Sequence, residues 1–262
     1  MKIATYNIWN DRNTNDNRFE QLINEINSSD ADIIGLQEVT ENFYSNFLLT
    51  KTDYEFCEFR KYTDDEEGLA ILSRYPIKSC FFLNTSEEFA YSAALNVIFE
   101  VGETRFSLTN VHLPWDSIKT QEEQIVAIDR YIHLQKGEAD YFIMLGDFNG
   151  GFNSSIHRYL GGDQTINGNE SNPYWDELSS AYAILNDLPL KPTLDFVNNP
   201  RWGGKNTFYI PSVVDRIYIL DNWAEKTLRN VRIFGMDISS ENNLSASDHY
   251  GVVTEVDFTK EA

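Results

Sequence analysis

Apolar and polar residues alternate in short runs along most of the chain, the two-residue period of strands with one buried face. Lys2–Ile8, Asp32–Gln37, Tyr54–Phe59, Leu69–Ser73, Ala94–Val101 and Arg105–His112 read as strands. So do Tyr141–Gly146, Val213–Leu220, Val231–Phe234 and Tyr250–Phe258, and Phe81-Phe82-Leu83 reads as a further, buried one. Helical spacing is rarer. Phe19, Leu22, Ile23 and Ile26 fall at i, i+3, i+4 and i+7, one apolar stripe. A second helix is predicted from Thr120 to about Gln135, carried by Gln124, Ile125, Ile128 and Ile132; a third opens near Asn153 and a fourth near Trp175. Gly161–Pro173 is polar and rich in Gly and Asn, and Asn198–Asn206 carries Pro200, Trp202, Gly203 and Gly204; both read as loops. No repeat or linker interrupts this order. Many strands with a few helices between them predict two packed sheets covered by helices, in a single domain over residues 1–262.

Composition removes several classes of protein. No apolar run exceeds five residues (Tyr141–Leu145 is one), far short of the roughly 20 that span a bilayer, so no transmembrane segment is expected. An aromatic content of 14% with 42% apolar residues excludes a disordered chain. The start, Met1-Lys2-Ile3-Ala4-Thr5, lacks the pattern of a secretory signal, and a cytoplasmic location is expected. Cys57 and Cys80 have no metal-binding spacing and read as two reduced thiols. There are 41 acidic against 21 basic residues, a net charge of −20. Such a chain repels polyanions at long range, so strong non-specific binding to duplex DNA is not expected. A small phosphoester is not excluded.

The chemistry gathers where apolar strands stop. Thr5-Tyr6-Asn7, Leu36-Gln37-Glu38, Thr109-Asn110-Val111-His112 and Leu145-Gly146-Asp147-Phe148-Asn149 each close a strand, and Ser247-Asp248-His249 precedes one. Taken singly these have ordinary explanations: Glu38 as an acid before a helix at Thr40, Asp147 as a turn residue, His112 as a structural histidine. Asp215 is harder to explain away. It sits inside Val213-Val214-Asp215-Arg216-Ile217, and a carboxylate on a buried strand requires a partner. Strand ends of one sandwich converging on one cleft would supply what metal-assisted phosphoester chemistry needs.

Taken together and in this order, Thr5-Tyr6-Asn7, Leu36-Gln37-Glu38-Val39, Val111-His112-Leu113, Gly146-Asp147-Phe148-Asn149, Val214-Asp215-Arg216-Ile217 and Ser247-Asp248-His249-Tyr250-Gly251 resemble the endonuclease/exonuclease/phosphatase superfamily. That family includes deoxyribonuclease I, exonuclease III, neutral sphingomyelinase and inositol polyphosphate 5-phosphatases. Gly68–Pro76 resembles a further conserved segment of the same family. The resemblance implies a deoxyribonuclease I-like, four-layered α/β sandwich: two mainly antiparallel sheets packed face to face, with helices outside.

It also implies a phosphoesterase dependent on Mg²⁺, with Mn²⁺ as a substitute. Glu38 offers the hard oxygen that Mg²⁺ prefers and is the first choice of ligand. Asn7 is expected beside it, and Asp248 as a further carboxylate near the ion. Asp147 and Asn149 lie two apart and in an extended segment would point the same way, towards one phosphate. By the resemblance Asp147 orients or deprotonates the attacking water and Asn149 donates to the phosphoryl oxygen. His249 and Asp215 match the family's histidine–aspartate pair. Whether Asp147 or His249 is the base stays open. His112 stands where deoxyribonuclease I and the sphingomyelinases also carry histidine, as general acid or phosphate binder, with Glu67 a candidate to orient it. His133 and His157 read as structural or solvated.

The substrate is less legible. Pro192-Thr193-Leu194-Asp195, followed by Asp215-Arg216-Ile217, resembles the tyrosyl-DNA phosphodiesterase branch, though leucine replaces that branch's tryptophan. Nucleotides or nucleic-acid ends are the expected substrates. A sphingomyelinase- or inositol-phosphatase-like hydrolase and a non-catalytic binding protein are the alternatives. Trp202 is either a stacking surface or a loop anchor.

Overall fold

The structure is a computed structural model that describes residues 1–11, 18–62, 65–84, 93–202, 208–222 and 224–258. Along β1 (Lys2–Asn7) the side chains divide by parity. Ile3 faces a core shared with the second sheet, while Ala4 and Tyr6 face a layer of helices. The remaining strands follow in chain order: β2 Ile33–Thr40, β3 Phe56–Lys61, β4 Glu67–Ser73, β5 Ile77–Asn84, β6 Ala93–Val101, β7 Thr104–His112, β8 Tyr141–Asp147, β9 Trp175–Glu177, β10 Asp215–Leu220, β11 Lys226–Phe234 and β12 Gly251–Phe258. They form two six-stranded sheets, in the orders β11-β12-β1-β2-β4-β3 and β5-β6-β7-β8-β10-β9. Only β1–β2 and β7–β8 pair in parallel; the other pairs are antiparallel.

Three apolar layers hold the sandwich. Ile3, Ile33 and Ile71 of one sheet meet Leu108, Ile143 and Ile217 of the other between the sheets. The helix Phe19–Ser28 packs Leu22, Ile23 and Ile26 on the outer face of the first sheet. The helices Ile118–Leu134 and Ser155–Leu160 cover Phe142, Met144 and Tyr218 on the outer face of the second. Burying each such side chain contributes roughly 1.5–3 kcal/mol.

At one end of the sandwich the space between the sheets turns polar. The Gln37 amide donates to Asn110 Oδ1 (2.6 Å) and Thr5 Oγ1 (3.1 Å), and Asn110 donates to the Leu36 and Ala70 carbonyls. The sheets approach so closely here that a Cβ on Gly35 would lie 2.3 Å from Leu145 Cδ1. Gly146, at φ +140°, would place a Cβ 1.9 Å from the Val111 carbonyl oxygen. Only glycine therefore lets β8 lie against β7 one residue before Asp147.

The edges of the sheets depart from the pattern-based expectation. Trp175 opens not a helix but a three-residue strand paired with Leu220, and the helix starts at Leu178, capped by the Glu177 carboxylate on the Ser179 and Ser180 amides. β11 extends back to Lys226, five residues before the predicted start, because exposed Arg229 and Asn230 on this edge mask its alternation. Tyr54 precedes β3 and turns its hydroxyl to the Ala31 carbonyl. Phe81 lies on a strand as expected but is 52% exposed, stacked only on Tyr131. The Gly203–Gly204 part of the second predicted loop lies outside the described residues. Cys57 and Cys80 are free, and burial pushes both thiols up to about 11. Among the described residues no helix is long and apolar enough to cross a membrane.

Candidate active site

The parity that builds the inter-sheet core also delivers the polar groups. On β8, Tyr141, Ile143 and Leu145 face the other sheet, and Asp147, two residues further, continues the same face. Asp147 pairs in register with His112 on one side and Asp215 on the other, so three site residues stand in one row across β7, β8 and β10. Asn7 ends β1 in register with Gln37. Glu38 arrives by a different device. The β2–β4 register slips between Leu36 and Val39, and Glu38 takes the left-handed conformation (φ +59°). This bulge turns its carboxylate into the cleft rather than along the strand.

The eight predicted residues come together around Asp147 and Glu38. Asn7 Nδ2 donates to both Glu38 Oε1 and Asp147 Oδ2, at 2.9 Å each. The Asn7 oxygen accepts from the Trp9 amide (2.9 Å), which fixes the side chain with its nitrogen towards the carboxylates. The second Glu38 oxygen accepts from the Asn10 amide at 2.8 Å. His112 Nε2 lies 3.9 Å from Glu38 and 3.8 Å from Asp147, and its Nδ1 meets the Tyr62 hydroxyl at 3.2 Å. Tyr62, not Glu67, thus makes the contact that orients His112; nothing in its sequence surroundings singled it out.

His249 Nδ1 bonds Asp215 Oδ2 at 2.9 Å, and its Nε2 faces Asp147 at 3.9 Å. Two consecutive amides at the start of β10 support the pair: Val214, just before the strand, and Asp215, its first residue, both donate N–H to Thr193 Oγ1 (3.1 Å). Ser247 ties the loop to β1 by donating to the Asn7 carbonyl. Asp147 and Asn149 do share one side, but not through an extended segment. Asn149 is left-handed (φ +47°), its backbone N–H donates to Asp147 Oδ1 at 2.8 Å, and its amide donates to Asp147 Oδ2 and the Leu113 carbonyl. A tight turn, which asparagine tolerates, replaces the strand geometry.

The electrostatics are those of acids crowded out of water. Burial pushes Asp248 up to about 6, reinforced by the charges of Glu38 and Asp147. Glu67 is pushed up to about 7 by burial and by Glu38. Burial opposes a charge on His249, but Asp215, Asp248 and Asp147 more than offset it and hold the imidazole well above its ordinary value. Five buried or half-buried carboxylates (Glu38, Glu67, Asp147, Asp215 and Asp248) around the His249 imidazolium form an acidic centre whose charge a divalent cation would offset.

Two overlapping groups of residues offer ligand atoms for such an ion. Asp147, Asp215 and His249 place three ligand atoms within 4.8 Å of one another, although Asp215 and His249 already bond each other at 2.9 Å. Glu38, Asp147 and Asp248 line the cleft and offer only hard oxygens.

The two remaining histidines are structural. His157 bonds the Gly150 carbonyl and the Tyr218 hydroxyl; burial and the Arg216 charge pull it down to about 3, so it stays neutral. His133 leans on Asp129 within the helix Ile118–Leu134. Trp202 serves as an anchor through its indole N–H, which donates to the Asp248 carbonyl at 3.0 Å, and its ring also lines the cleft.

Known proteins resemble this chain in sequence and in fold. The model of the endonuclease/exonuclease/phosphatase family matches residues 4–249. A probable CCR4-Not complex 3'-5'-exoribonuclease subunit Ccr4 from Vairimorpha ceranae is 26% identical over 221 residues, which is 70% of this chain. The match takes in 46% of that relative, so the chain spans about half the length of the curated relative it resembles. Among solved structures, D. rerio TDP2 complexed with single strand DNA product superposes with a TM-score of 0.74 at 17% identity, over 98% of both chains. A mannosyl-6-phosphatase from Bacteroides thetaiotaomicron superposes with a TM-score of 0.74 at 16% identity, over 98% of this chain and all of the other. At such identities these two structures speak for the fold alone.

Proposed function

The chain belongs to the endonuclease/exonuclease/phosphatase family, and on that footing we propose that it is a phosphoesterase, one catalytic unit over residues 1–262, that hydrolyses a phosphodiester or phosphomonoester with Mg²⁺ or, in its place, Mn²⁺. The observation that carries this reading is the meeting of Glu38 and Asp147 under one Asn7 amide, faced by two imidazoles. Glu38 would hold the ion, with Asp147 and Asp248 within reach directly or through water, as suits a cation that keeps several waters. The ion, when bound, polarises the phosphoryl group and offsets its charge.

The chain's own residues divide the remaining work. Asp147, its Oδ1 held by the Asn149 amide, presents Oδ2 to the cleft and orients the attacking water for in-line attack. His249, kept as the imidazolium by Asp215 at Nδ1 and by the neighbouring Asp248 and Asp147, donates from Nε2 to a phosphoryl oxygen. Asn149 sits beside this position and helps to hold the phosphoryl group. His112, steadied by Tyr62, faces the cleft with Nε2 and assists the leaving group or binds phosphate. Asn7 acts chiefly as the donor that keeps the two carboxylates side by side. Nucleotides and nucleic-acid ends are the substrates to try first. None of the family's charged groups is missing, which favours an enzyme over a silent binding protein.

The test is metal dependence. Hydrolysis of bis-p-nitrophenyl phosphate is expected to disappear in excess EDTA and to return with Mg²⁺ or Mn²⁺. Full activity in EDTA would refute the proposed chemistry.

A further inference from the structure

The cleft above the carboxylates encloses about 740 Å³, and most of its lining takes no part in the proposed reaction. One wall is aromatic. Phe196 and Trp202 meet edge to face with centroids 4.7 Å apart, and Tyr209 lies against Phe196 at 5.1 Å. The bond from the Trp202 indole to the Asp248 carbonyl sets this ring beside Asp248 and His249, with 39% of its surface open. The lining also includes Tyr62 and Trp115 and the acids Asp65, Glu67 and Asp116. Among the described residues that line the cleft, six are carboxylates and none is lysine or arginine. Arg18 and Arg201 lie outside this lining, each over the Trp9 ring at 5.3 Å; both stay charged while they donate to backbone carbonyls, Arg18 to Ile8 and Ala246 and Arg201 through Nε to Ser245.

This lining suits a flat, uncharged ring and opposes a second phosphate. A polyanion gains affinity from cations along its path, and the described lining offers carboxylates instead, Asp65, Glu67 and Asp116 among them. The net charge of −20 acts in the same sense at longer range. We propose that the substrate carries one phosphate esterified to a nucleoside-like group whose ring stacks on Trp202, and that nucleic-acid strands and nucleoside polyphosphates are selected against. This inference rests on the hydrolytic reading of the cleft and narrows its substrate class.

Three esters with one leaving group test it: thymidine 5′-(p-nitrophenyl phosphate), the same compound with a 3′-phosphate, and a ten-nucleotide strand bearing the 5′-(p-nitrophenyl phosphate). With the wild-type protein and Mn²⁺, kcat/KM is expected to fall at least about tenfold on adding the 3′-phosphate and further for the strand, with the gap narrowing as salt rises. The Trp202→Leu variant should raise KM for the thymidine ester about tenfold at little changed kcat, the loss of one stacking contact. For ethyl p-nitrophenyl phosphate, which has no base, the change in KM should be several-fold smaller and reflect only the lost indole bond to Asp248. Equal or faster turnover of the strand would overturn the charge argument. An equal effect of Trp202→Leu on both esters would reduce Trp202 to a loop anchor. No hydrolysis of any ester would overturn the hydrolytic reading, and this inference with it.

Discussion

Asp147→Ala is expected to lower kcat/KM for bis-p-nitrophenyl phosphate by about 10³-fold or more, without unfolding the protein. Asp147 is the hub of the site: its Oδ2 lies 2.9 Å from Asn7 Nδ2, 3.8 Å from His112 Nε2 and 3.9 Å from His249 Nε2. Alanine removes the group that orients the water and one of the charges that attract the cation. Asp147→Asn keeps the volume and most contacts, yet should lose nearly as much, which separates charge from shape. If Asp147 and His249 act on one step, the double variant Asp147→Ala/His249→Ala should be little slower than either single variant. The melting temperature in EDTA should not fall by more than a few degrees, because the lost hydrogen bonds are partly offset by removing one of the charges that add to burial in pushing Asp248 up. Steady-state kinetics at saturating Mg²⁺ with a circular-dichroism melt checks both halves. Retained activity in the folded variant would remove Asp147 from the chemistry.

The largest effect on stability is expected away from the cleft, at Asp129. This carboxylate is 2% exposed, on the buried face of the helix Ile118–Leu134. It accepts from Tyr159 Oη and Trp175 Nε1 at 2.8 Å each and from Ser171 Oγ at 3.2 Å, with His133 Nδ1 at 3.1 Å. It thereby ties two helices, the Gly161–Pro173 region and the edge strand β9 together. Asp129→Ala strands three buried donors and opens a cavity, at a cost of roughly 3–5 kcal/mol. In a chain of this length about 1 kcal/mol moves the melting temperature by roughly 2–4 °C, so a fall of about 6–20 °C is expected. Activity per folded molecule at low temperature should be unchanged, since none of these groups reaches the cleft. A variant that melts with the wild type would show that the network contributes little.

Much of the fold and the membership of the site were legible along the chain, for one physical reason. Strands with a buried face repeat every two residues, so polar residues that continue the apolar parity at a strand end must face the same interior. Tyr141, Ile143, Leu145 and Asp147 show this directly, as do Asp215, Ile217 and Ile219. What parity does not reach is local deviation from it. Glu38 enters the cleft through a bulge, and Asn149 through a left-handed turn rather than an extended segment. Tyr62 meets His112 across 50 residues of chain, and no local pattern encodes that contact. Edge strands were misread for a related reason. With one side open to water, β11 tolerates charged residues and β9 is short enough to look like the start of the helix that follows it. The two readings of Trp202 were not exclusive, because the nitrogen anchors the loop while the ring face stays open.

The central claim is that carboxylates from distant strands of both sheets hold one divalent cation where the sheets part. Anomalous diffraction from crystals grown with Mn²⁺ tests this most directly. A peak about 2 Å from a Glu38 carboxylate oxygen, with Asp147 and Asp248 around it directly or through water, is the result the account predicts. A cleft without a peak at saturating Mn²⁺, or an ion bound only elsewhere on the molecule, would contradict it.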